Sequence, residues 1–259
     1  MQEFEPYVGG SFNRTSIPLE VRNPFNGEVI GRTYLGDRDA FEKAIVSAMD
    51  IQKGLQASPS HVKSSALNFI AESLNHQRQE FARILSLESA KPIKYALGEV
   101  DRAITTFLIA AEEAKRLPHE YIDLEWTPAG EGKEGLVKYF PVGLVAGISP
   151  FNFPLNLAIH KLAPAIAAGC PIILKPSTST PLSTLLLARI IDTAGLPKGS
   201  VSIIPMDRTT GNQLVTDDRI KLLSFTGSPE VGWKMKSDAG KKRVVLELGG
   251  NAGVIVTET

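Results

Sequence analysis

The chain has 259 residues, 43% hydrophobic and 22% charged, the balance of an ordinary globular protein long enough to bury a sizeable core. Lys plus Arg number 28 and Asp plus Glu also 28, so the basic excess of a general nucleic-acid binder or a polybasic membrane protein is missing. A single cysteine excludes an intrachain disulfide scaffold and fits a reducing cytoplasm.

The opening residues, MQEFEPYVGG, are acidic and lack the apolar run of a signal peptide. The first forty residues read as strand and turn, with Asn23-Pro24-Phe25-Asn26-Gly27 supplying turn chemistry. From Asp39 to about Ala114 the pattern is helical. Phe41, Ile45 and Ala48 recur at i, i+4, i+7, and Leu67, Ile70, Ala71 and Leu74 at i, i+3, i+4, i+7. Ser58-Pro59-Ser60 separates two of these helices. Tyr121–Leu124 and Leu136–Tyr139 flank the glycine-rich stretch Gly130–Gly135, which predicts a hairpin.

After Pro141 short apolar runs alternate with helical patterns. Strands are expected at Gly143–Ile148, Pro171–Leu174, Val201–Ile204, Lys221–Phe225 and Val244–Leu248. Helices are expected at Leu155–Ala168, Leu182–Ala194 and Val231–Ala239. The longest apolar stretch, Leu155–Leu174, is broken by His160, Lys161, Pro164 and Pro171, so it cannot cross a bilayer as one helix. The alternation implies an α/β fold with a mainly parallel sheet covered on both faces, preceded by the helical segment and a protruding β-hairpin. Residues 1–248 read as one domain. The run Gly253–Val256 then has nothing downstream to pair with, so 249–259 reads as the start of a second, truncated domain and an unpaired apolar edge.

Ligands of open α/β sheets bind at the carboxyl ends of the strands, and three such ends are polar or glycine-rich. Ser149-Pro150-Phe151-Asn152-Phe153-Pro154 holds an asparagine between two prolines. Its fixed amide would suit an oxyanion, or it would cap the next helix. Lys175-Pro176-Ser177-Thr178-Ser179-Thr180-Pro181 offers an amine and hydroxyls for ribose or phosphate oxygens. Equally, the lysine snorkels at a helix entry, with Thr180 as N-cap and Pro181 at the first helical position. Phe225-Thr226-Gly227-Ser228-Pro229-Glu230-Val231-Gly232 is a strand, turn and helix start able to receive an anion, although its Gly-x4-Gly spacing matches neither the GxGxxG fingerprint nor a Walker loop. Glu247, before Leu248-Gly249-Gly250, is a candidate general base or an ordinary glutamate on a polar strand face. The four histidines are scattered and Cys170 reads as core filler, so neither a metal site nor a nucleophile is indicated.

In order, Asn23-Pro24 to Ile30, Pro141-Val142-Gly143-Leu144, Ser149–Pro154, Leu174–Ser177, Phe225–Ser228 and Leu246–Gly250 resemble the aldehyde dehydrogenase superfamily along essentially the whole chain. The resemblance implies a Rossmann-like fold and NAD(P)-dependent oxidation of an aldehyde to a carboxylic acid. It gives Asn152 the oxyanion and Glu247 the hydrolytic water. It puts Lys175, Ser177 and Thr178 at the adenosine ribose, Gly227 and Ser228 at the diphosphate and Val231 near adenine. Ser149, Pro150, Phe151, Gly211, Gly232, Leu248 and Gly249 complete the cofactor contacts.

Members of the family that prefer NAD often carry a glutamate where this chain has Thr178, so the resemblance points to acceptance of NADP. Pro205–Gly211 lacks the glycine-rich character often seen there. The hairpin resembles the family's oligomerisation element and implies a homo-oligomer, with no membrane or nucleic-acid partner. The family nucleophile lies a few dozen residues past the glutamate motif, so the chain resembles the cofactor-binding half without the thiol and is expected to be inactive alone. The competing readings are a non-catalytic dinucleotide-binding module and an interaction fragment that pairs through the hairpin.

Overall fold

A computed structural model describes residues 2–257; residues 1, 258 and 259, including the last two of the expected 249–259 segment, lie outside the described residues. The N-terminal region forms β1 (Tyr7–Val8), β2 (Ser11–Phe12), β3 (Ile17–Arg22) and β4 (Val29–Leu35). Strands β3 and β4 make a separate antiparallel ribbon. Its turn is closed by Asn23 Oδ1, which accepts from the Phe25 N–H at 2.9 Å, and by Gly27 at φ 76°. The helical spacing becomes α1 (Arg38–Gln56), α2 (Ser60–His76), α3 (Arg78–Ser89) and α4 (Ile93–Glu113). The Asp37 carboxylate caps α1 by accepting from the Ala40 N–H at 2.9 Å.

The hairpin strands are β5 (His119–Asp123) and β6 (Glu134–Lys138), each beginning upstream of the expected strand. The alternating half of the chain follows as β7 (Val145–Ile148), α5 (Pro154–Ala168), β8 (Ile172–Lys175), α6 (Leu182–Asp192) and β9 (Val201–Ile203). Helix α7 (Arg208–Thr216), β10 (Leu222–Gly227), α8 (Pro229–Asp238) and β11 (Arg243–Leu248) complete it. Two expectations are corrected. Helix α7 forms between the expected strands Val201–Ile204 and Lys221–Phe225, where no helix was expected: Asp207 accepts from the Thr210 N–H at 2.6 Å, and Gly211, Leu214 and Val215 supply a buried face too short to register as a periodic stripe. No strand forms at Gly253–Val256, where Val254, Ile255 and Val256 are exposed without regular structure.

The main sheet runs β11-β10-β7-β8-β9-β1-β2. It is parallel from β11 to β9, with β1 and β2 added antiparallel at the far edge. After β7 the chain lays β8 and β9 on one side, then crosses to lay β10 and β11 on the other. That reversal is where ligand crevices open in such sheets.

Strand alternation divides the interior. Val145, Ile172, Leu174, Val201 and Ile203 pack with the α2–α6 layer. Ala146, Ile148, Ile173, Leu223 and Phe225 face the opposite layer, against Phe41, Ala44 and Ile45 of α1 and Leu214 and Val215 of α7. Among the described residues, no helix is long and apolar enough to cross a membrane.

Candidate functional site

At the carboxyl edge, Ile148 of β7 pairs with Phe225 of β10 and with Lys175 of β8. The residues after β7, β10 and β11 then meet around one cavity of about 1220 Å³, which Pro150, Phe151, Asn152, Gly227, Ser228, Glu247, Leu248 and Gly249 line. Helices α4 and α5 form its other wall through Thr106, Ile109, His160 and Lys161. The cavity exists because part of the sheet is uncovered. Val244, Leu246 and Leu248 pack toward the Phe225 layer, so Val245 and Glu247 take the opposite face, where Val245 is 46% exposed. A parallel strand is normally buried on both faces.

Asn152 belongs to this cavity in an orientation set by its own loop. Its Oδ1 accepts from the Phe153 N–H at 3.1 Å, which leaves Nδ2 as a donor with no partner among the described residues. The capping alternative is corrected. Helix α5 has Phe153 as N-cap with no side-chain bond. Glu99 of α4, fully buried, instead accepts from the N–H groups of Leu155 and Asn156, both at 3.1 Å.

Glu247 is exposed on the uncovered face, paired across the strands with Thr226. Lys161, 4% exposed, donates to Thr226 Oγ1 at 2.7 Å. Burial pushes the Lys161 ammonium down to about 8, opposed by the charge of Glu247. Partial burial, then Arg102 and Lys161, hold the His160 imidazole below its ordinary range. In the sequence these two residues only interrupt an apolar run. Their place about two turns into the helix that follows Asn152 was the available signal.

Ser149, Lys175, Ser177, Thr178, Gly211, Val231 and Gly232 lie outside this cavity, while Gly227 and Ser228 stand at its rim. Ser149 is buried, and its N–H donates to the Lys175 carbonyl at 3.1 Å. The Lys175 stem crosses α7 so closely that a Cβ on Gly211 would stand 2.8 Å from Lys175 Cε. Its amine has no hydrogen-bond partner among the described residues. Burial lowers its pKa, which Asp207 opposes. Ser177 and Thr178 are half-buried beside it, with Ser177 Oγ 2.9 Å from Ser179 Oγ. Ser228 begins α8 without a side-chain cap bond, Pro229 stands at the first helical position, and Val231 is 39% exposed on the first turn. A Cβ at Gly227 would lie 2.4 Å from Phe225 Cζ, in the buried layer, and one at Gly232 would displace Leu248 Cδ2, 2.4 Å away.

Thr180 does not cap α6; its hydroxyl is buried without a partner. Glu88 of α3 caps that helix, accepting from the Leu182 and Ser183 N–H groups at 2.7 and 3.2 Å and from the Ser183 hydroxyl. Cys170 is 4% exposed, and burial pushes its thiol up. It lines a neighbouring cavity of about 420 Å³ and is absent from the one that Asn152 and Glu247 share. No group of three or more potential metal ligands occurs among the described residues.

The edge thus joins three chemistries: an unpaired amide donor and a carboxylate lining one cavity, an open helix N-terminus, and an unpartnered amine over a glycine. A Cβ at Gly211 would require the Lys175 stem to shift, and the first turn of α8 carries no side-chain cap, which leaves N–H groups open to an anion.

The family model described as "Aldehyde dehydrogenase family" matches residues 12–259. The 3-sulfolactaldehyde dehydrogenase of Priestia aryabhattai is 39% identical over 257 residues, 99% of this chain and 54% of that protein. Aldehyde dehydrogenase 21 of Physcomitrella patens, solved in complex with the reaction product succinate, superposes with TM-score 0.95 at 41% identity, over 97% of this chain and 53% of that one. An NADP-dependent glyceraldehyde-3-phosphate dehydrogenase from Bacillus halodurans, solved with NADP, gives TM-score 0.92 at 31% identity, over 96% and 53%. The chain spans about half the length of the curated relatives it matches.

Proposed function

The chain belongs to the aldehyde dehydrogenase family, and from that membership we propose that it carries the cofactor site, oxyanion donor and general base of an NAD(P)-dependent enzyme that oxidises an aldehyde to a carboxylic acid. The observation that carries this reading is the shared cavity of Asn152 and Glu247 at the topological switch point. Residues 1–248 would hold the cofactor. Cys170 is buried away from that cavity, so the 259 residues alone bind a dinucleotide without turning over aldehyde.

A dinucleotide would be held along the carboxyl edge by residues on both faces of the sheet. On the α7–α8 side, Lys175, Ser177 and Thr178 would take the adenosine ribose, with Gly211 and Gly232 nearby and Val231 beside adenine. The free N–H groups of α8, with Gly227 and Ser228, take the diphosphate. Ser149, Pro150, Phe151, Leu248 and Gly249 would hold the redox-active end of the cofactor at the cavity. When bound, NAD(P) supplies the hydride acceptor.

Asn152 donates its Nδ2–H to the oxygen that becomes anionic when the thiolate adds to the aldehyde, a contribution of about 3–4 kcal/mol for such a donor. Because Oδ1 is already tied to Phe153, the donor needs no reorganisation as charge develops. Glu247 takes the proton from the water that hydrolyses the acyl-enzyme. Lys161 steadies Thr226 beneath it. NADP is accepted, as Thr178 brings no carboxylate to the ribose; the Bacillus halodurans relative was solved with NADP.

The chain acts in the cytoplasm as a homo-oligomer through β5 and β6, where Tyr121 and Leu136 are 64% and 69% exposed. The test is NADPH absorbance on adding an aldehyde to the intact gene product. Asn152→Ala is expected to lower the rate by about 10²–10³ while leaving NADP affinity unchanged; an undiminished rate contradicts the assignment.

A further inference from the structure

We propose that Lys91 and Glu99 are positioning residues that hold the Asn152 donor in place, an inference that rests on the oxyanion reading of Asn152. Lys91 Nζ donates to the Asn152 carbonyl at 2.9 Å and pairs with the Glu99 carboxylate; the two side chains are 13% and 0% exposed. The other carboxylate oxygen of Glu99 accepts from Leu155 and Asn156. The same ammonium lies 4.7 Å from the Phe153 ring centroid. One ion pair from the α3–α4 region therefore grips the backbone on both sides of Phe153, whose N–H orients the Asn152 carboxamide.

The grip has a purpose beyond closing a helix end. Glu99 alone satisfies the α5 amides, and what Lys91 adds is the bond to Asn152. That residue sits exposed in the loop between β7 and α5, where nothing in a regular element fixes it. Loops carry functional groups but move more than the scaffold. An amide donor stabilises a developing oxyanion only when it is already in position.

Lys91 is itself held. Ala90 closes α3 at φ 53°, the left-handed region that non-glycine residues avoid. Pro92 follows at φ −54°, and the Ser86 hydroxyl donates to the Lys91 carbonyl at 2.8 Å. Backbone strain of this kind persists where the surroundings over-determine it, and such places cluster at functional sites.

The test is a double-mutant cycle on the intact gene product, read as aldehyde-dependent NADP reduction, NADP affinity by titration, and melting temperature. Asn152→Ala is expected to lower kcat by about 10²–10³. Lys91→Met lowers kcat on the order of tenfold in the wild-type background and less than about twofold when Asn152 is already alanine, because the two act as a unit. NADP affinity stays unchanged throughout. Lys91→Arg, which keeps a cationic donor, recovers most of the rate. Glu99→Gln, which still accepts from the α5 amides, lowers kcat as Lys91→Met does.

Equal losses from Lys91→Met in both backgrounds would mean a merely structural role and overturn the proposal. So would an unchanged kcat in Lys91→Met while Asn152→Ala is impaired. An unimpaired Asn152→Ala removes the oxyanion reading instead, and with it the premise.

Discussion

Lys161 Nζ lies 2.7 Å from Thr226 Oγ1, and Thr226 is the residue paired with Glu247 across β10 and β11. A buried ammonium therefore stands under the carboxylate assigned to the water. Burial lowers its pKa from the ordinary 10.5 to about 8. The unfolded chain binds the extra proton between those values, so this residue's contribution to stability is fully present above 10.5 and lost as pH falls through about 8. Lys161→Met is expected to be the more stable form at neutral pH, by about 1–3 kcal/mol. The difference should close as pH rises toward 10.5. Melting temperatures of both proteins across that range are the check; a gap independent of pH would mean that the ammonium is not desolvated.

Glu88 has the opposite sign. Burial raises its carboxyl from 4.5 to about 7, against the hydrogen bonds from Ser183 and Leu182 that favour the charged form. The folded state binds the extra proton between those values, so the contribution is fully present below 4.5 and lost as pH rises through about 7. Glu88→Gln is expected to flatten the stability slope across that window in thermal melts. Glu88→Ala also orphans two α6 amides and should cost about 2–4 kcal/mol in urea unfolding.

Thr178→Glu tests the choice of cofactor. A carboxylate about 4 Å from a 2′-phosphate costs roughly 4 kcal/mol at an effective dielectric of 20, less where solvent screens it. Calorimetric titration is expected to show NADP weakened by on the order of tenfold or more, with NAD held as well as before. Asp207, the carboxylate that acts on Lys175, is already engaged at the Thr210 N–H. Equal weakening of both cofactors would contradict the 2′-phosphate argument.

Glu247→Gln separates the two halves of the reaction. Losing a positioned base typically costs about 10²–10⁴ in rate, and here the loss falls on hydrolysis alone. A stopped-flow burst of NADPH is expected to survive while steady turnover collapses and the acyl-enzyme accumulates in the intact mass. A lost burst would place Glu247 before hydride transfer.

The strands were legible because buried parallel strands read as apolar runs, as in Ile172–Leu174, bounded by glycine or proline. Alternation also puts Glu247 and Val245 on one face once the register of β11 is known. The helix caps were not legible. Glu99 reaches Leu155 across 56 positions and Glu88 reaches Leu182 across 94, whereas cap signals in a sequence are local. Asn152 and Thr180 therefore looked like caps, and the distant glutamates that relieve them of that duty were invisible. Lys161 was hidden for a related reason: within an apolar helix it reads as an interruption, and its partner Thr226 sits in another strand. Helix α7 escaped because Leu214 and Val215 alone make too short a stripe.

The central claim is a dinucleotide draped over the carboxyl edge, its diphosphate on the first turn of α8. A crystal structure of the intact gene product with NADP tests it most directly. The account predicts diphosphate density at Ser228, the ribose against Lys175, and the nicotinamide in the cavity between Asn152 and Glu247. NADP bound elsewhere, or a nicotinamide on the α7 side of the sheet away from both residues, would contradict it.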